Sequence, residues 1–405
     1  MARAAPYPVR GRILQTATRA AGPCWRWVMP RIRRAILLAA VLSLLAPAAA
    51  SADLRVDGRG FGHGIGLSQY GAYGYALREN RDFRWILGHY YQGTDLSRTR
   101  GRSVRVLLRQ GSSQTVCGAT RVRAANGRRV RLSTSRRYSL SRSSGNRLKL
   151  YDASARRTRA RLAAPVSVTG GSTVCLRGTA ENGLRDGKYR GTMVIDREGS
   201  RVRAINRVNL EHYLYGVVPA EMPTSWPIEA VKAQAVAART YALKRLLPGR
   251  DYNLFADTRS QMYRGLAAET DRGIQAVKAT RRLAVTYRGD LADTFFFSTS
   301  GGRTAGNEEI WNSAPVPYLR SVEDPHDNLS PVHTWTETFS RSDAERRLGG
   351  LVRGTLESVV VSERTASGRA KTVEIRGSDG TRSATGPEVR TRLGLRSSWF
   401  TTTGP

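Results

Sequence analysis

The chain has 405 residues, with 66 Lys+Arg against 32 Asp+Glu, a formal net charge of +34 and 40% hydrophobic residues. That apolar share can fill at least one sizeable core, and 40 glycines, 16 prolines and 8% aromatics exclude a collagen-like or wholly disordered chain. Arginine outnumbers lysine 60 to 6, a bias that genome composition produces as readily as recognition chemistry does.

Residues 1–28 carry arginine and no acid, and Arg31, Arg33 and Arg34 then precede an apolar run from Ala35 to Leu45. With Ala50-Ser51-Ala52 behind it, this is the pattern of a secretory signal peptide, so export with cleavage after Ala52 is expected, and Met29 is a second candidate start. An uncleaved anchor is the competing reading, but the run is shorter than the roughly 20 residues a spanning helix needs and Pro47 interrupts it. Without residues 1–52 the charge is +26, and residues 101–161 hold 17 Lys+Arg against one acid, Asp152. Such a segment is either a solvated cationic face or a surface for an anionic polymer, which outside the cell means a wall polymer or acidic glycan. No aromatic-studded RNA or DNA motif accompanies it, so no nucleic-acid partner is expected. Cys117 and Cys175 are the two cysteines left after export, an even count that predicts a disulfide, with two free buried thiols as the alternative.

Short strands are expected at 104–108, 121–123, 129–132, 148–151 and 166–168, where Arg alternates with Val or Leu at period two. Residues 192–195 and 202–205 read as a hairpin. The strongest helix runs from Pro227 to Leu247, with Ser225 as a possible cap and Ile228, Val231, Ala235, Ala238 and Ala242 on one face. A second helix is predicted over 271–280, then strands at 283–287 and 293–298. The class is α+β: a Gly-rich segment 53–100 packing on the core, a β-rich basic subdomain 101–190, and a core 191–405.

Glu221 stands between Pro219 and Pro223, with Met222 and Trp226 close by. A carboxyl held among apolar side chains loses hydration, which raises its pKa and suits it to general-acid work; the competing reading is a carboxylate that receives backbone N–H groups at the start of the following helix. His63 lies in Gly60-Phe-Gly-His-Gly-Ile-Gly66, where small residues let the backbone approach a ligand, although a satisfied structural histidine fits equally well.

Five motifs together resemble the SpoIID/LytB family, named for a sporulation stage II protein and an amidase enhancer. They are Arg59 to Ala72 with Gly-His-Gly and Ser68-Gln69, Gly216 to Pro227 with Glu221-Met-Pro, Asp257 to Tyr263, Phe297 to Arg303, and Leu393 to Phe400. The resemblance implies a SpoIID-like catalytic domain and a peptidoglycan lytic transglycosylase, with Glu221 as the acid that protonates the leaving oxygen between MurNAc and GlcNAc. The sugar's own 6-hydroxyl then closes a 1,6-anhydro end, so one carboxyl suffices where ordinary glycosidases use two. It further implies a glycan cleft drawn from His63, Ser68, Gln69, Trp226, Gln261, Tyr263, Ser298, Ser300, Gly301 and Gly302. Trp226 and Trp311 are either sugar platforms or core. Some relatives bind zinc through Cys and His near the Gln261 motif; residues 255–261 contain neither, so no metal and no cofactor is expected. The Gly-His-Gly motif often lies C-terminally in the family, and its place here implies a permuted arrangement filling the same slot. Two further readings remain: a wall-binding enhancer of a partner amidase, and a wall-polymer adhesin centred on residues 101–161.

Overall fold

The computed structural model describes residues 53–246 and 248–404, so the expected leader lies outside the described residues. Among them no helix is long and apolar enough to cross a membrane.

The alternating Arg/Val stretches form an 11-stranded, mainly antiparallel sheet. Its path begins at Leu254–Phe255, passes through Ser103–Gly111, Arg201–Asn209, Thr192–Glu198, Val166–Arg177 and Ser113–Ala124, and ends at Arg157–Ala163. Val122, Leu148, Leu150, Leu162, Val166 and Val168 point into the core, which leaves Arg121, Arg123 and Arg161 exposed on the other face. Cys117 and Cys175 face each other across two of these strands and are joined by a disulfide, with Cα atoms 5.0 Å apart. The sheet runs on through Thr192–Glu198 and Arg201–Asn209, so the boundary expected near residue 190 falls inside it.

Five helices pack beside it: α1 (Gln69–Arg78), α2 (Phe83–Tyr90), α3 (Leu210–Glu221), α4 (Ile228–Lys244) and α5 (Asp271–Ala279). The α4 helix is central, touching the other four. Its small side chains permit this closeness: Ala230, Ala233, Ala235, Ala237, Ala238 and Ala242 are fully buried. Pro227 takes its N-cap position and Ser225 provides no cap hydrogen bond. One charge is buried among these helices. Arg239 donates to both carboxylate oxygens of Glu211 at 2.7 and 3.1 Å and to the Val277 and Leu283 carbonyls at 3.2 Å each, which ties α3, α4, α5 and the strand Leu283–Tyr287 together.

The side chains of residues 191–405 do not form one core. Leu54–Arg59 is the middle strand of a separate three-stranded sheet, between Thr334–Phe339 and Phe400–Thr403. Leu54, Val56, Trp335, Phe339, Val373, Ile375, Val389 and Phe400 make a second hydrophobic cluster there.

Candidate functional site

Glu221 closes the last turn of α3; Met222 follows in extended conformation, and Pro223 has no N–H with which to continue a helix. The carboxyl therefore ends a helix, where the sequence placed it before one. It faces a cleft of about 270 Å³ lined by nine residues, Glu221 the only acid among them. Tyr241, Met262, Phe295, Phe296 and Trp311 make most of the wall; Thr258, Ser260 and His63 complete it. Burial raises the Glu221 pKa to about 7, opposed by one hydrogen bond, in which the Met262 N–H donates to Oε1 at 2.7 Å. With Oε1 occupied as an acceptor, Oε2 is the oxygen that carries the proton.

His63 also lines the cleft. The Ile65 N–H donates to Nδ1 at 3.0 Å, which fixes the proton of the neutral ring on Nε2. Burial, with the charges of Arg390 and Arg369 adding, lowers its pKa to about 4, so the ring is neutral at neutral pH. Its neighbours are aromatic: Phe297 at 5.4 Å and Trp311 at 5.7 Å between ring centroids. Trp311 is 42% exposed, an open aromatic face at the mouth.

The other motif residues hold this cleft from behind. Gln261 is buried, accepts from the Tyr213 hydroxyl at 3.1 Å and donates to the Ala238 carbonyl at 3.3 Å. Tyr263 is buried and donates to Asn206 at 2.8 Å. These two residues flank Met262, whose N–H donates to Glu221. Ser68 caps α1 by accepting from the Gly71 N–H, and Gln69 donates to Gln234 of α4 at 3.3 Å. Trp226 lies outside the cleft, stacked on Tyr73 at 4.5 Å and against Tyr70 at 4.8 Å. Ser300 and Gly301 are buried: the Gly301 N–H donates to Asp327 at 2.6 Å, and Ser300 Oγ accepts from the Gly302 N–H at 3.1 Å. Ser298 is half-buried, its hydroxyl 3.1 Å from that of Thr299. Four other glutamates are engaged elsewhere: Glu211 with Arg239, Glu229 with Lys232, Glu308 with Arg320 and Glu309 with Ser367.

Three supporting residues escape sequence reasoning. Asp324, fully buried and bonded to the Tyr90 hydroxyl at 2.8 Å, has its pKa raised to about 7 by burial and by neighbouring Asp327. Asp327 pairs with His333 Nδ1 at 2.7 Å while it holds Gly301. Arg369, its pKa lowered to about 10 chiefly by burial, donates to the Ser300 and Arg303 carbonyls at 3.2 and 2.9 Å. Its guanidinium fills the space that a side chain at Gly64 (φ +89°) would need. A buried polar group of this kind leaves no periodicity to read.

A single acid, its pKa raised by burial, in an aromatic-walled cleft on a mixed α+β scaffold has the arrangement of a general acid. Residues 198–287 match the SpoIID family model, described as Stage II sporulation protein. The chain is 33% identical over 214 residues to Stage II sporulation protein D of Bacillus amyloliquefaciens, covering 49% of this chain and 61% of that protein. Stage II sporulation protein D of Bacillus subtilis is 32% identical over 215 residues, covering 49% and 61%. The amidase enhancer of Bacillus subtilis is 36% identical over 134 residues, covering 33% of this chain and 18% of that protein. The chain thus spans about six tenths of the length of the two sporulation proteins it matches.

Proposed function

We propose that the protein is an exported peptidoglycan lytic transglycosylase in which Glu221 is the catalytic acid. The family is linked to cell-wall degradation. The observation that carries the reading is the Glu221 carboxyl, held protonated to about pH 7 by burial and alone among the acids of its cleft. Glu221 Oε2–H protonates the oxygen bridging MurNAc C1 to the next GlcNAc. As that C–O bond breaks, the MurNAc 6-hydroxyl attacks C1 and returns its proton to the Glu221 carboxylate. The products are a 1,6-anhydro end and a free 4-hydroxyl, with no water consumed. Trp311 offers the sugar its open face, while Gln261, Tyr263, Ser68 and Gln69 position the walls from behind.

The outer face of the large sheet is assigned to an anionic wall polymer. Arg121 stands opposite Arg131 and Arg123 opposite Arg129 across one strand pair, and none of the four forms an ion pair with a described residue. Like charges set directly opposite destabilise a sheet, and a bound polyanion relieves that cost.

The test is incubation of residues 53–405 and of its Glu221→Gln variant with peptide-free glycan strands, followed by mass spectrometry for 1,6-anhydro-MurNAc ends. Production by the parent protein alone is expected. If neither protein makes such ends while both bind the strands, the second reading takes over. In it the cleft holds glycan to enhance a partner amidase, a reading favoured by the likeness to the amidase enhancer.

A further inference from the structure

A cavity of about 750 Å³ lies apart from the Glu221 cleft and shares no lining residue with it. It opens in the second core, along the strand Leu54–Arg59 and the segment Trp399–Thr401. Its lining includes Trp399, Arg59, Arg364, Asp57 and three threonines. The Trp399 indole is half-buried, with the Arg59 guanidinium 5.7 Å from its ring centroid on one side and buried Arg369 at 5.1 Å. Gly368 packs close to the ring: its φ is +84°, and a Cβ there would stand 3.2 Å from the indole.

The charges of this cavity do not cancel. Asp57 is already engaged, accepting from Arg55 at 2.9 and 3.0 Å and from the Thr336 hydroxyl at 2.5 Å. Arg364 donates only to the Gly368 and Phe400 carbonyls, at 2.8 and 3.1 Å, and neither it nor Arg59 pairs with a carboxylate of any described residue. A guanidinium without an anion beside a half-exposed indole is a recognition set for a ring that bears a carboxylate: the exposed part of the indole packs on the sugar and the fork takes the two oxygens.

We infer that this cavity is a second glycan-binding site, separate from the Glu221 cleft, that takes a carboxylate-bearing amino sugar of the muramic type. The inference rests on the glycan reading proposed above and adds where a strand is gripped. The two sites are one loop apart in the chain. The strand that carries Arg59 runs directly into the Gly60–Gly66 loop that carries His63, and the Arg59 N–H donates to the Trp399 carbonyl at 2.9 Å. Holding an acidic sugar at Trp399 keeps the strand attached while Glu221 acts on a neighbouring linkage.

The test uses residues 53–405 carrying Glu221→Gln to stop turnover and labelled with 5-fluorotryptophan, each resonance assigned by a single Trp→Phe variant. Trp311 then reports the Glu221 cleft and Trp399 the second site. Titration with the GlcNAc–MurNAc disaccharide is expected to shift the Trp399 resonance. Arg59→Glu, which removes a guanidinium that forms no ion pair with a described residue, is expected to weaken that shift at least tenfold while leaving Trp311 unchanged. The disaccharide with its lactyl carboxyl reduced to an alcohol is expected to shift Trp311 only. No shift at Trp399 overturns the inference whatever Trp311 does, and a Trp399 shift that survives Arg59→Glu or carboxyl reduction overturns the carboxylate assignment. No shift at Trp311 counts instead against the glycan reading of the Glu221 cleft.

Discussion

Replacing Glu221 by Gln removes an ionisable group that the fold forces to stay protonated, and the stability effect has a definite sign. The pKa rises from 4.5 in the unfolded chain to about 7 in the folded one. Below pH 4.5 both states hold the proton and the carboxyl costs nothing by ionisation. Between the two values only the folded state holds it, so stability falls as pH rises, by about 1.4 kcal/mol per pH unit. Above pH 7 the loss is complete and constant at about 3 kcal/mol. Gln keeps the acceptor that the Met262 N–H needs and cannot ionise. The variant is therefore expected to match the parent at pH 4 and to exceed it at pH 8 by about 3 kcal/mol, which for a chain of this size is about 4 °C in Tm. Asp324 titrates in the same range and adds a pH slope of its own, but it is present in both proteins and drops out of the difference. Urea unfolding of parent and variant at pH 4, 6 and 8 reads the effect directly. A difference that is flat with pH, or a variant less stable throughout, would refute the argument that burial dominates at Glu221.

The same protonation sets the rate: turnover is expected to hold below about pH 7 and to fall about tenfold per pH unit above it, which a pH profile of 1,6-anhydro product formation checks. Trp311→Ala is expected to weaken glycan binding about tenfold at unchanged Tm, because the ring it removes is exposed; titration calorimetry against glycan fragments separates this from unfolding. The double Cys117→Ser, Cys175→Ser variant is expected to lose about 4 kcal/mol by the loop-closure argument, and dithiothreitol to lower the parent's Tm to a similar extent. Changing Arg121, Arg123, Arg129 and Arg131 to Gln is expected to abolish salt-sensitive retention on a polyanionic wall polymer while leaving glycan cleavage intact; retention that is unchanged would return these arginines to the role of a solvated face.

The parts of the fold that repeat locally were legible in the sequence. The helix at 227–247 and the structure's Ile228–Lys244 agree because a run of alanines at spacings of three and four leaves few other arrangements, and the 271–280 helix and the 192–205 hairpin follow from equally local patterns. The chemistry of Glu221 was legible only in kind. Burial does raise its pKa, but the apolar neighbours proposed for the task, Met222 and Trp226, are not the ones that line the cleft. Tyr241, Met262, Phe295 and Phe296 do so, and they come from segments that meet only in three dimensions. Motif residues such as Gln261 and Ser300 have polar side chains suited to a ligand, yet the structure turns them toward the scaffold, since a buried amide or hydroxyl must find a partner somewhere. The second core was not legible, because its central strand, Leu54–Arg59, pairs with residues from the far side of the sequence.

That strand also sets an order of events during synthesis. Leu54–Arg59 emerges ahead of both its partners and has no sheet to join until residues 334–339 and 400–403 exist, so it waits with both edges unpaired while everything between is made. The loop behind it waits too, since the Gly62 N–H is received by the Arg396 carbonyl. A ribosome that stops short of those residues releases a chain whose His63 loop keeps its bonds to Thr299 and Ala305 but lacks the one to Arg396. The acid that ends α3 and the residues that line its cleft are then present, but the Arg396 bond to the His63 loop is not. Residues 396–403 thereby complete the His63 side of the cleft after the rest of it has been made.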